Sequence, residues 1–217
     1  MSKNSDNSQN QTQDTAKTAV DFSKDPLYAA INNGDVDSLN KQIMAGVNLN
    51  VEFEKKRSPL HLAVLKKNTN IAKIIILSTA NKNAQDEDGR TPLHIAVETG
   101  NYDITLALIR ARANVNSLDV NKYTPLHLAA VASPLEIINA LISARANANL
   151  ATIDDLTPLH FAVIHCRSIQ ILKRMITAKP NINAVDRNKW SMLHSAARSS
   201  NVTATNMFKS SININLK

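Results

Sequence analysis

A tetrad recurs along this chain at a nearly constant interval, and such a period constrains the fold more than any single residue can. Ser58-Pro59-Leu60-His61, Thr91-Pro92-Leu93-His94, Thr124-Pro125-Leu126-His127 and Thr157-Pro158-Leu159-His160 stand 33 residues apart, and Ser191-Met192-Leu193-His194 follows after 34. Asp25-Pro26-Leu27-Tyr28 lies 33 residues before the first, which makes six units.

The third unit shows what each repeat encodes. Thr91 suits a helix N-cap, and Pro92 suits the first helical position, where a missing N–H is no loss. Leu93, Ala96 and Val97 then share one helical face, and Gly100-Asn101 breaks the run with turn chemistry. Ile104, Ala107 and Leu108 repeat the spacing in a second helix. The stretch from Asn114 to Tyr123 is polar and extended and leads to the next Thr-Pro. Each unit is therefore helix, turn, helix and projecting loop. Two such short helices cannot bury enough apolar surface alone, so the units must stack and share their faces. Ala63, Ala96, Ala129, Ala162 and Ala196 mark the places where neighbouring helices approach most closely.

The T-P-L-H-x-A pattern at this period resembles the ankyrin-repeat family, over about Asp25 to Asn215. The resemblance implies an all-α solenoid of helix-turn-helix units with projecting hairpin loops, short helices on a concave side and longer ones behind. It also implies a protein-binding module that works through its concave face and fingertips. Where the family usually carries Gly after the second helix, this chain has Gly46 but then Thr79, Arg112, Arg145 and Lys179, which puts the usual loop geometry there in question. The fifth unit has one extra residue between His160 and Arg167, expected to reshape its turn. Thr203, Thr205, Asn206 and Lys209 make the last helix polar, as suits a C-terminal cap.

Residues 1–24 form the expected polar, disordered tail, and residues 25–217 the repeat domain, with its first and last units as caps. Met1 to Ala19 is rich in Ser, Asn, Gln and Thr and lacks the apolar core of a secretory signal. Ile74 to Leu77, the longest strongly apolar run, is too short for membrane insertion. The chain is 43% hydrophobic and 20% charged, an ordinary soluble composition. Its low Gly count of 4 and heavy use of Asn argue against a turn-rich sandwich or a glycine-cradled nucleotide site. The single Cys166 rules out an intramolecular disulfide and suits a reducing compartment, so a cytoplasmic location is expected; a monomeric state is a separate expectation.

Catalytic and cofactor readings find no footing. Five of the six histidines hold one place in successive units, about 10 Å apart by helix-packing distances, and cannot converge on one metal. A structural role bridging neighbouring loops by hydrogen bonds is expected instead. His165 and Cys166 are adjacent on a helix and diverge by about 100°, which disqualifies them as a nucleophile and its base. No glycine-rich phosphate loop, H-E-x-x-H or C-x-x-C occurs. No enzyme activity, cofactor, metal or small-molecule substrate is expected.

The net charge of +7 and pI near 9.6 raise the question of a nucleic-acid partner. Arg110, Arg112, Arg145, Lys173, Arg174 and Lys179 fall at or near the ends of second helices, where cations complement the helix dipole and solvate the outer surface. No aromatic residue is interleaved along that row to stack bases, which makes a nucleic-acid-binding solenoid the weaker alternative. Another alternative is a targeting domain of a larger or host-directed effector assembly. The Asn and Lys bias suits an AT-rich genome, and ankyrin-like proteins of intracellular bacteria are often delivered into host cells.

Read finger by finger, the two halves of the stack differ. The second and third units present Glu54, Lys55 and Arg57, then Glu87, Asp88 and Arg90, with Lys66 and Glu98 on the helices. The fourth to sixth present Val120 and Tyr123, Ile153 and Leu156, then Trp190, with Val131 and Ile164 on the helices. Tyr123, Leu156 and Trp190 hold one position in three consecutive fingers. An exposed row of this kind, rimmed by Arg187, Arg198 and Asp154, is the expected partner-binding surface. The competing reading is that these side chains pack finger against finger. Arg57 and Arg90 mark the charged alternative site.

Overall fold

The computed structural model describes residues 21–166 and 168–211. The expected disordered tail lies outside these residues up to residue 20, as does Arg167. Twelve α-helices pair off along the described chain: α1 (Pro26–Asn33) with α2 (Val36–Met44), α3 (Pro59–Leu65) with α4 (Thr69–Leu77), α5 (Pro92–Glu98) with α6 (Tyr102–Arg110), α7 (Pro125–Ala132) with α8 (Leu135–Ser143), α9 (Pro158–His165) with α10 (Ile169–Thr177), and α11 (Met192–Arg198) with α12 (Val202–Ser211). Odd-numbered helices pack on odd ones and even on even, which makes two parallel rows. The only extended pairing among the described residues is an isolated bridge between Val185 and Ser191.

Local chemistry starts each first-row helix. Ser58, Thr91, Thr124, Thr157 and Ser191 are N-caps, each in a capping box closed by the histidine three residues on. In most units a second cap follows: Asp35, Asn68 and Asn101 accept from the third residue beyond them. The fourth unit has Pro134 at that place, which restricts Ser133 to an extended conformation (φ −77°, ψ 152°). Ser133 then turns its hydroxyl onto the Val97 carbonyl of the preceding unit.

The core runs the length of the stack. Leu60, Leu93, Leu126 and Leu159 of the tetrads are fully buried, as are Ala63, Ala96, Ala162 and Ala196, with Ala129 almost so. Ile71 and Ile75, Ile104 and Leu108, and Ile137 and Leu141 supply the second row's share. The packed chain begins slightly earlier than expected. Phe22, in a 3-10 turn capped by Asp21, stacks on Tyr28 and meets Phe53 edge-on, so residues 21–24 join the first unit.

Two hydrogen-bonded rails tie the units together. At the fingertips, Glu87, Val120, Ile153 and Arg187 each donate a backbone N–H to the preceding finger, at Lys55, Asp88, Asn121 and Asp154. In the loops, Asn50, Asn83, Asn116 and Asn149 each accept, through the side-chain oxygen, the backbone N–H of Asn81, Asn114, Asn147 and Asn181 one unit on. The heavy use of asparagine is thus a ladder: the loop backbone of each unit finds its partner in the side chain of the unit before.

The loop geometry questioned at four positions is present at three. Arg112, Arg145 and Lys179 adopt left-handed backbones with φ of 60°, 64° and 55°. Thr79 does not. The preceding Ser78 is extended instead (φ −87°, ψ −167°), because a β-branched residue tolerates the left-handed region poorly.

Candidate functional site

The fingertips place the row that the sequence singles out. In four consecutive fingers one polar side chain accepts two backbone N–H groups: Asp86 those of Asp88 and Arg90, Asp119 those of Asn121 and Tyr123, Thr152 those of Asp154 and Leu156, and Asp186 those of Asn188 and Trp190. Arg90, Tyr123, Leu156 and Trp190 are therefore held at one station, just before each first-row helix.

Their surroundings differ. Arg90 is paired with Asp86 and Glu98 and is partly covered, and Arg57, also partly covered, has a buried Nε without a hydrogen-bond partner among the described residues. The expectation of an exposed row is corrected in part, because Tyr123, Leu156 and Trp190 are all half-buried. The Tyr123 ring meets Phe161 of the next unit at 5.2 Å and His127 at 5.9 Å, and both Tyr123 and Leu156 pack against the core. Finger-to-stack packing thus accounts for much of these two side chains. Burial, with Asp119 and Asp154 nearby, raises the pKa of the Tyr123 hydroxyl. Ile153 and Val131 remain exposed.

Trp190 borders a cavity of about 490 Å³ between the last two fingers and the first-row helices α9 and α11, lined also by Leu156, Ile164, Asp186, Arg187 and Arg198. The Arg198 guanidinium lies 4.8 Å from the Trp190 ring centre, a cation–π arrangement, and makes no ion pair among the described residues. Arg187 is committed to Asp154 at 3.0 Å and to the Ile153 carbonyl. The sequence reading missed Asp186, Asn188, Ser195 and Ser199 in this lining. Asp186 carried a signal, since it stands four residues before Trp190 as Asp86 stands before Arg90 and Asp119 before Tyr123.

The histidines join neighbouring units by hydrogen bonds. In His61, His94 and His127, Nδ1 accepts the backbone N–H of the N-cap at 3.0 to 3.1 Å. Their Nε2 atoms meet the carbonyls of Arg90, Tyr123 and Leu156, 29 residues on, at 2.9 to 3.1 Å. Because an amide N–H can only donate and a carbonyl can only accept, each ring is the neutral Nε2–H form. This is the expected bridge between neighbouring loops. His160 keeps the first bond, at 3.1 Å, but its buried Nε2 makes no well-formed hydrogen bond among the described residues, although the Ala184 backbone lies close enough to act on its charge. Trp190 holds the station of Arg90, Tyr123 and Leu156 in the next finger, but its carbonyl makes no bond to the His160 ring. His194, in the last unit, is exposed. Burial lowers the pKa of His61, His94 and His160, and that of His127 to about 4.

No group of three or more His, Cys, Asp or Glu side chains among the described residues could hold a metal ion. Cys166 is buried with its sulfur 3.4 Å from the Ser168 N–H, while His165 is exposed and lies against Phe161. No described helix is long and apolar enough to cross a membrane. The cavity sets the Trp190 ring, the aliphatic Leu156 and Ile164 and the Arg198 guanidinium side by side.

A family model described as ankyrin repeats (3 copies) matches residues 4–86, 27–119, 75–152 and 133–217. Comparison with curated proteins gives no match. Similar solved structures include the ankyrin repeat domain of Bcl-3, a member of the IkappaB protein family, at 23% identity and a TM-score of 0.77 over 86% of this chain and 85% of that one. Another is an ankyrin repeat domain from Acinetobacter baumannii AYE, at 23% identity and 0.79 over 85% and 96%. A chain from the complex of the predatory endopeptidase Bd0816 of Bdellovibrio bacteriovorus with immunity protein Bd3460 aligns at 21% identity and 0.75 over 87% and 98%.

Proposed function

The chain belongs to the ankyrin-repeat family, a family of protein-interaction modules, and we propose that it binds a partner protein through the finger side of its last three units. The observation that carries this reading is the cavity at the junction between the fifth and sixth units, where Trp190 stands beside Arg198, which forms no ion pair among the described residues. A partner segment with an apolar side chain against Trp190 and Leu156, and a carboxylate against Arg198, matches that chemistry. Tyr123, with its ring already packed on Phe161, serves as a wall rather than an anchor. Ile153, Val131, Ile164 and Arg187 extend the contact surface, and Arg57 and Arg90 lie away from it.

In this reading the chain is a non-catalytic monomer of a reducing compartment such as the cytoplasm, and its basic outer surface is not a nucleic-acid site. Partner captured on the immobilised full chain is then titrated against variants. Trp190→Ala weakens binding at least about thirtyfold, the loss of a 2 kcal/mol anchor, while Lys173→Ala on the outer row leaves it unchanged. Normal binding by Trp190→Ala overturns the proposal. Dependence on Lys173, Arg174 and Lys179 of the outer row, with affinity falling steeply in salt, replaces it with nucleic-acid binding.

A further inference from the structure

The outer row carries a feature that neither the stack nor the finger-side site uses. At the C-terminal end of each second helix one position faces outward: Met44, Leu77, Arg110 and Ser143 occupy it in the first four units. Solvent makes a polar residue the natural choice there, yet Met44 is 88% and Leu77 85% exposed. Between α4 and α6 lies a cleft of about 300 Å³, lined by Lys73, Ile76 and Leu77 from one helix and Ala107, Arg110 and Ala111 from the other. Each set of three is spaced i, i+3, i+4, so two adjoining helical faces form the walls. Ala107 and Ala111 are small and leave the floor recessed, Leu77 overhangs it, and Lys73 and Arg110 stand exposed at its edge. No acidic residue lines it, and neither Lys73 nor Arg110 forms an ion pair among the described residues.

We propose that this outer cleft is a second docking site, independent of the finger-side surface, for an acidic amphipathic helix of a partner protein. The groove between two parallel helices accepts a third helix, whose apolar side chain enters over Ala107 and Ala111 against Leu77. Carboxylates on either side of that side chain meet Lys73 and Arg110, so charge complementarity sets the register. The volume lies at the bottom of the range for ligand pockets, which suits one or two inserted side chains rather than a cofactor. A recessed apolar floor also favours an inserting side chain over the flat face of a bilayer or a phosphate backbone, which could not reach the partly buried alanines.

The test is a random peptide library displayed on phage and panned against the full chain. Enriched binders combine a large apolar residue with flanking Asp or Glu. Synthetic versions bind Leu77→Asp and the Lys73→Glu, Arg110→Glu double variant at least about tenfold more weakly, and Trp190→Ala as they bind the unmodified chain. Thermal melting of each variant near the unmodified value shows that these exposed substitutions leave the fold intact. Enriched peptides that lack the acidic and apolar pattern, or that bind Leu77→Asp undiminished, overturn the proposal. Loss on Trp190→Ala alone assigns the peptides to the finger-side site and also overturns it. Vesicles of phosphatidylserine and phosphatidylcholine form the last arm: Leu77-dependent vesicle binding without peptide binding replaces the helix with a lipid surface.

Discussion

Acid should loosen this stack through its histidines, and His127 sets the size of the effect. Its ring is fully buried in α7, with Nδ1 accepting from the Thr124 N–H at 3.0 Å and Nε2 bonded to the Leu156 carbonyl at 3.0 Å. A second proton can enter only at Nδ1, where it faces an N–H that can no longer donate there. Protonation therefore breaks the Thr124 N–H half of the capping box, leaving the new N–H only the Thr124 hydroxyl at 2.8 Å, as well as burying a charge. Burial lowers the pKa from 6.5 to about 4, opposed by the Leu156 carbonyl and reinforced by the neighbouring His160 and His94. The unfolded chain takes up this proton near pH 6.5 and the folded chain only near 4. Stability is thus complete above 6.5 and falls as pH drops through that window. At about 1.4 kcal/mol per pH unit, roughly 2 kcal/mol is lost between pH 7 and pH 5 from His127 alone. His61, His94 and His160 add losses of the same sign. Urea unfolding followed by circular dichroism at both pH values measures this. His127→Gln is less stable at pH 7, because it loses the paired bonds, but its decline toward pH 5 is shallower by about 2 kcal/mol. A stability that is level from pH 7 to pH 5, or an equally steep decline in His127→Gln, refutes the argument.

Replacing both Arg112 and Arg145 with Gly should raise stability by about 1 to 2 kcal/mol in the same unfolding assay, since each relieves a left-handed backbone strain. A loss would show that the arginine side chains make needed contacts. Asn116→Ala removes one rung of the asparagine ladder and should cost about 0.5 to 1 kcal/mol, because the orphaned Asn147 N–H can still reach water. Hydrogen exchange at Asn147 should rise with it, and an unchanged rate would deny the rung. Leu126→Ala, at a fully buried tetrad position, should cost about 2 to 5 kcal/mol without altering the helical spectrum of the remaining fold.

The helices, their starts and their stacking order were legible in the sequence because those features are set within three or four residues. A Thr or Ser N-cap, Pro at the first position and His three residues later close a capping box with no help from elsewhere, and a constant period obliges each copy to do the same. The identity of the reactive-looking residues was equally legible: identical histidines one unit apart cannot converge. What the tertiary structure alone decided involves partners about thirty residues away. Tyr123 looks like a free aromatic until Phe161 of the next unit packs against it at 5.2 Å. The left-handed backbones of Arg112 and Arg145, and the escape of Thr79 from one, follow from how each loop must rejoin its neighbour. The extra residue in the fifth unit was visible as a change in spacing. Which carbonyl each histidine would reach was not, because His61, His94 and His127 find theirs 29 residues on only when successive units are stacked, while the His160 Nε2 makes no such bond among the described residues.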